Sequence, residues 1–128
     1  MVKMGSLSLI SVVDDDGCVR ESLQALLRSV GFAVQVFASV EEFLQSDHLQ
    51  QTQCLILDVR MPGMNGLELQ HRLASTRIEI PVIFITAHGN ETARTQALKN
   101  GAVAYLCKPF SEEALLNAIR ASLSLEVM

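Results

Sequence analysis

Polar residues capable of chemistry follow apolar runs at four places: Asp14, Asp15 and Asp16 after Val13, Asp58 after Leu57, Thr86 after Ile85, and Lys108 after Cys107. Carboxylates brought within a few ångströms repel one another, and a hard divalent cation relieves the repulsion. Mg²⁺ suits such a cluster, with Mn²⁺ as a substitute, because one or two carboxylates leave room in its octahedron for water and a phosphoryl oxygen. An aspartate nucleophile beside a metal and a fixed cation, here Asp58 and Lys108, is the equipment of phosphoryl transfer. Thr86 adds a hydroxyl donor. Singly, each residue has a plainer reading: a turn residue ahead of Met61, Pro62 and Gly63, a solvated lysine, a β-branched strand residue, and an acidic helix start for Asp14 to Asp16. Their shared position after apolar runs favours chemistry, and Asp16 alone is assigned as a helix cap.

The elements that would carry these residues alternate between strand and helix. Apolar runs of strand length are Leu7 to Val13, Ala33 to Phe37, Cys54 to Leu57, Val82 to Ile85 and Val103 to Cys107. Between them lie stretches of helical period: Val19, Leu23, Leu26, Leu27 and Val30 ahead of Gly31, a short helix through Phe43 and Leu44 behind a Ser39/Glu42 capping box, and Gly66 to Ser75. A weakly apolar fourth helix, Glu91 to Asn100, has only Ala93, Ala97 and Leu98 on its inner face, and a fifth begins at Glu112 with Leu115, Leu116, Ile119 and Leu123. The alternation predicts an α/β fold, a flavodoxin-like doubly wound parallel sheet of five strands in order 2-1-3-4-5 with five helices. In such sheets the ligand site lies beyond the carboxyl ends of the strands, where the polar residues gather.

Composition narrows the class. A chain of 128 residues, 49% hydrophobic and 19% charged, supports one folded domain. The formal net charge of −4, with no stripe of Lys and Arg, argues against direct nucleic-acid binding. Cys18, Cys54 and Cys107 are odd in number, widely spaced and in apolar context, which predicts reduced buried thiols rather than disulfides or zinc. No apolar run is long enough for a membrane span and no signal peptide is evident, so a cytoplasmic protein is expected. Residues 1–6 read as an N-terminal leader and residues 7–124 as the domain.

The segments VVDDDGCVRESL, LILDVRMPGMNGLEL, VIFITAH and GAVAYLCKPF together resemble the four signature regions of response-regulator receiver domains of two-component systems, in order and spacing. The wording DDD and DVRMPGMNG is most similar to the FixJ-type subfamily, whose receivers precede a LuxR-type helix-turn-helix output domain; no output domain is seen in this chain. The resemblance implies Asp58 as phosphoacceptor, a metal held by Asp14, Asp15, Asp58 and the backbone carbonyl of Arg60, and a phosphoryl group bound by Thr86, Ala87 and Lys108. It further implies Thr86 and Tyr105 as switch residues and Arg60 and His88 as positions that tune phosphoryl lifetime. The partners implied are a sensor histidine kinase and, on phosphorylation, a second copy meeting through the helix 4/strand 5 face. An enzyme of the haloacid-dehalogenase type would want a second Asp two residues after the first, where this chain has Arg60, so a phosphoacceptor that assists its own phosphorylation and dephosphorylation is expected rather than an enzyme. The Lys108-Pro109 bond is expected to be cis, as in similar receivers.

Overall fold

A computed structural model describes residues 8–61, 63, 65–87 and 89–127, with side chains as far as Ser124. The elements run β1 (Leu9–Val13), α1 (Gly17–Ser29), β2 (Ala33–Phe37), α2 (Val40–Gln45), β3 (Cys54–Asp58), α3 (Gly66–Ser75), β4 (Val82–Thr86), α4 (Glu91–Lys99), β5 (Ala104–Cys107) and α5 (Glu112–Val127). All strand pairs are parallel, in the order β2-β1-β3-β4-β5. The expected architecture is therefore the observed one. Leu7, expected to open the first strand, and residues 1–6 lie outside the described residues.

Alternation along the central strands divides the interior into two layers. Val13, Leu55, Leu57 and Phe84 point to the face covered by α2, α3 and α4, packing with Phe43, Leu69, Leu73 and Ala97. Ile10, Val12, Cys54, Ile56, Ile83 and Ile85 point to the other face, under Leu23 and Leu27 of α1 and Leu115 and Ile119 of α5. β3 and β4 are buried at every position because both faces are covered and neither strand is at an edge. Side chains at the helix starts accept backbone N–H groups, Asp16 from Cys18 and Ser39 from Glu42 as predicted, and Asn65 from Glu68 in addition. The Ser39/Glu42 box closes only on one side, since the Glu42 carboxylate takes the N–H of Ala38 instead of that of Ser39.

Several apolar residues depart from the periodic reading. Val30 follows the last helical residue of α1 and is 46% exposed, and Leu98, expected on the inner face of α4, is 37% exposed. Cys54 is buried, but Cys18 and Cys107 are exposed, because one lies in the first turn of α1 and the other ends the edge strand β5.

Attachment of α3 and α4 differs in kind. Full burial of a leucine is worth about 1.5–3 kcal/mol, and α3 buries Leu69 and Leu73, whereas the buried residue of α4 is Ala97, whose methyl is worth less than ~1 kcal/mol. Gln70 occupies the i+4 place of the buried stripe Gly66, Leu69, Gln70, Leu73 and donates from Nε2 to the Ala97 carbonyl at 3.0 Å. A buried hydrogen bond contributes about 0.5–1.5 kcal/mol, as much as the apolar contact of α4, so this bond is a clip between α3 and α4, although Gln70 Oε1 is buried without a partner among the described residues. At the other end of α3, a Cβ on Gly66 would stand 2.6 Å from the Asp58 carbonyl oxygen and 3.0 Å from the Phe84 ring, so glycine is what lets α3 start directly against β3.

Two outcomes are expected. Gln70→Ala should speed amide exchange in the last turn of α4 about tenfold relative to β3, and equal protection in both proteins would remove the clip. Gly66→Ala gains at most ~1 kcal/mol of helix propensity but forces backbone apart at an overpacking cost of about 1–3 kcal/mol, so urea unfolding should show a net loss of stability; a variant as stable as the parent would contradict the close approach.

Candidate functional site

The site assembles where β1, β3, β4 and β5 release their chains. Asp14 follows β1 and is fully buried, and each of its polar groups is engaged. Its N–H donates to the Phe37 carbonyl at 3.1 Å, its Oδ1 accepts the Asp16 N–H at 2.9 Å, its Oδ2 meets Lys108 Nζ at 2.9 Å, and its carbonyl accepts from Arg20 Nη1 at 2.8 Å. Asp15 is exposed beside it. Asp16 turns away to cap α1, as its assignment from the sequence required.

Asp58, the last residue of β3, is 6% exposed. Its Oδ1 accepts the Arg60 N–H at 3.1 Å and its Oδ2 lies 3.6 Å from Lys108 Nζ. The β3–α3 loop is tied on both sides, by Val59 N–H to the Ile85 carbonyl and Gly66 N–H to the Val59 carbonyl. Lys108 is anchored by its own N–H on the Thr86 carbonyl at 2.8 Å and precedes a cis bond to Pro109, as expected.

Electrostatics follow from this packing. Burial first, and then the charge of Asp14, push the Asp58 carboxyl from its usual 3.8 to about 6, against the opposing pull of Lys108 and the Arg60 N–H. Burial alone would lower Lys108, but the hydrogen bond and charge of Asp14, with the charge of Asp58, outweigh it and hold the ammonium above its ordinary range. A protonated lysine thus stands between two carboxylates and sits closer to Asp14 than to Asp58. Asp14, Asp15 and Asp58 each offer a carboxylate oxygen, all within 4.8 Å of one another. A cluster of hard oxygen donors of this kind fits a divalent cation such as Mg²⁺, which would relieve the repulsion that raises Asp58.

Thr86 is buried at the end of β4, beside Cys107 in register, and Ala87 follows it on the surface. Tyr105 lies on β5, partly buried, its ring 6.4 Å from that of Phe84 at 49°; its hydroxyl is buried without a hydrogen-bond partner among the described residues. The Arg60 side chain is exposed. His88, paired with Arg60 in the lifetime expectation, lies outside the described residues.

Three contributors were not legible as site residues. Gly66 sets the approach of α3 to Asp58, and a Cβ on Gly89 would meet Cys107 Sγ at 2.6 Å and Thr86 and Tyr105 at 3.3 Å, so both glycines make room around the site. Arg20 stands within the VVDDDGCVRESL segment, but no role was assigned to it there. The glycines were visible only as helix-start and loop residues.

Comparison with known proteins agrees with this arrangement. The family model described as the response regulator receiver domain matches residues 10–120. The response regulator protein TodT of Pseudomonas putida is 48% identical over 118 residues, covering 92% of this chain and 52% of TodT. The solved response regulator StyR is 48% identical with a TM-score of 0.86, covering 94% of this chain and 61% of StyR, and the crystal structure of FixJ-N is 36% identical with a TM-score of 0.82 over 93% and 95%. The chain spans about half the length of the curated relatives it matches, TodT at 52% and FixJ of Azorhizobium caulinodans at 54% among them. With a family match across most of its length and FixJ-like relatives, this chain belongs to the response regulator receiver domains of two-component systems.

Proposed function

We propose that Asp58 accepts a phosphoryl group from the phosphohistidine of a sensor histidine kinase, and that the resulting change of shape controls an output, transcription being the one suggested by the relatives TodT and FixJ. The observation that carries this reading is the convergence of the Asp14, Asp15 and Asp58 oxygens within 4.8 Å of one another, with the Lys108 ammonium against Asp14 and Asp58. In the transfer an Asp58 carboxylate oxygen forms a bond to phosphorus as the bond from phosphorus to the donor's imidazole nitrogen breaks, and the electron pair leaves with the imidazole. Asp14, Asp15, Asp58 and the Arg60 carbonyl would hold Mg²⁺ or Mn²⁺, which when bound neutralises charge on the phosphoryl oxygens. Lys108 shifts from its contacts with Asp14 and Asp58 to a phosphoryl oxygen, while the Thr86 hydroxyl and the Ala87 N–H supply donors to the others.

Thr86 moving toward the new group opens space for Tyr105 on the α4 and β5 side. The change is a population shift between two packings, with a coupling of roughly 1–3 kcal/mol. A second copy of the chain then meets that α4 and β5 face. Arg60 and His88 shield the acyl phosphate and lengthen its life.

Asp58→Asn should abolish uptake of one phosphoryl group from acetyl phosphate and Mg²⁺, because an amide is a poor nucleophile and a poor metal ligand. Mass spectrometry checks this, and uptake at the parental rate would refute the assignment. Cation binding should also depend on pH. With a folded-state carboxyl at about 6 and an ordinary value of 3.8, the proton on Asp58 favours the fold below 3.8 and through the interval, and that contribution is lost as pH rises through about 6. The cation needs the ionised form, so Mg²⁺ affinity measured by calorimetry should fall about tenfold from pH 7 to pH 5, and an affinity that does not change over that span would count against Asp58 as a ligand.

A further inference from the structure

We infer that Arg20 is a positioning residue for the cation cluster, orienting Asp15 through the backbone carbonyl of Asp14; this rests on the cation reading above. Arg20 lies one turn into α1, its N–H bonded to the Asp16 carbonyl at 3.1 Å. Its side chain runs back toward the helix start, the direction helical side chains favour, and Nη1 donates to the Asp14 carbonyl at 2.8 Å. The guanidinium lies against the first turn of α1, where a Cβ on Gly17 would stand at an ordinary contact distance of 3.4 Å from Arg20 Nη2.

The choice of partner is informative. Arg20 stands beside Asp14, Asp15 and Asp16, yet among the described residues the ion pairs of Asp14 and Asp58 are made by Lys108, and the guanidinium holds main chain instead. The Asp14 carbonyl and the Asp15 N–H belong to one rigid planar unit. Pinning that carbonyl therefore sets the direction in which Asp15 leaves the buried Asp14. Asp15 is exposed, so its carboxylate depends on the backbone beneath it for its place in the cluster.

Positioning and simple charge predict opposite signs. If Arg20 acted only as a nearby positive charge, its removal would tighten binding of a divalent cation. As a positioning residue, its loss should weaken binding, and groups that orient metal ligands commonly account for about 10- to 100-fold in affinity. Titration calorimetry with Mg²⁺ at pH 8 and fixed ionic strength, on wild type, Arg20→Lys and Arg20→Met, separates the two. The expected order of dissociation constants is wild type, then Arg20→Lys at about threefold weaker, since its ammonium keeps one donor for the carbonyl, then Arg20→Met at about tenfold weaker. Melting temperatures without metal, taken in parallel, distinguish lost orientation from lost fold. If Arg20→Met does not fold, the threefold step from wild type to Arg20→Lys still decides. Equal or tighter binding in the variants, with wild type binding normally, overturns the role of Arg20 alone, whereas a wild type that binds no Mg²⁺ overturns the cation reading and this inference with it.

Discussion

Two carboxylates buried at the mouth of a parallel sheet, Asp14 fully and Asp58 at 6% exposure, are the constraint around which the rest is arranged. Charges removed from water are costly unless paired and hydrogen-bonded, and the pairing here comes from Lys108. That residue follows β5, which is separated from β1 by β3 and β4, a distance of roughly 14 Å at the spacing of strands in a sheet. No lysine stem covers such a gap from within the sheet plane. The contact is made beyond the strand ends, at 2.9 Å to Asp14 and 3.6 Å to Asp58, and the segments on either side of it have tethers of their own. Asp14 N–H to Phe37 and Arg20 to the Asp14 carbonyl hold one loop, and Lys108 N–H to Thr86 holds the other.

The same arrangement divides the molecule into a firm half and a loose one. α1 and α5 sit on a layer with Leu23, Leu27, Leu115 and Ile119 fully or almost fully buried, while α4 has Ala97 and the Gln70 bond. Tyr105 stands next to that loose helix. Its ring gains apolar contact with Phe84, but its hydroxyl is buried without a partner among the described residues, at a cost of about 1–3 kcal/mol. The gain and the cost are of similar size, so the place of the ring beside Phe84 is only weakly held. Thr86 shares with Tyr105 the space that Gly89 leaves open, so the movement of Thr86 proposed above would act directly on the tyrosine.

Features set by local chemistry were readable in the chain. Parallel strands buried on both faces must be apolar throughout, which is why Cys54 to Leu57 and Val82 to Ile85 announce β3 and β4, and why the polar residues that follow them mark the functional edge. Asp16 was separable from Asp14 and Asp15 because a capping side chain has a sequence position of its own. What stayed hidden depends on tertiary approach. The exposure of Leu98 follows from how little of α4 reaches the sheet, and the exposure of Cys107 from its place at the end of an edge strand. Gln70 reads as one polar residue in a helix until its partner, 27 residues away, is seen across the gap to α4. Arg20 is invisible for a further reason: a bond to a backbone carbonyl leaves no trace in the identity of the residue that accepts it.

The distribution of hydrogen bonds also bears on why such a site would store a phosphoryl group rather than turn it over. Turnover needs a base free to orient water against the acyl phosphate. Asp14 is the buried carboxylate nearest to Lys108; its Oδ1 is engaged by the Asp16 N–H, and on the proposed reading its Oδ2 turns to the cation when Lys108 moves to the phosphoryl group. Asp15 is the other carboxylate of the cluster and on the proposed reading is committed to the cation. The position two after Asp58, from which a second acid would reach the leaving or entering oxygen, is Arg60, whose guanidinium cannot accept a proton from water. The residues that make Asp58 a good acceptor are thus spent on charge, and none of these three remains to act as a base. On the proposed reading, an acceptor so equipped would hold its group long enough for a loosely attached helix to respond.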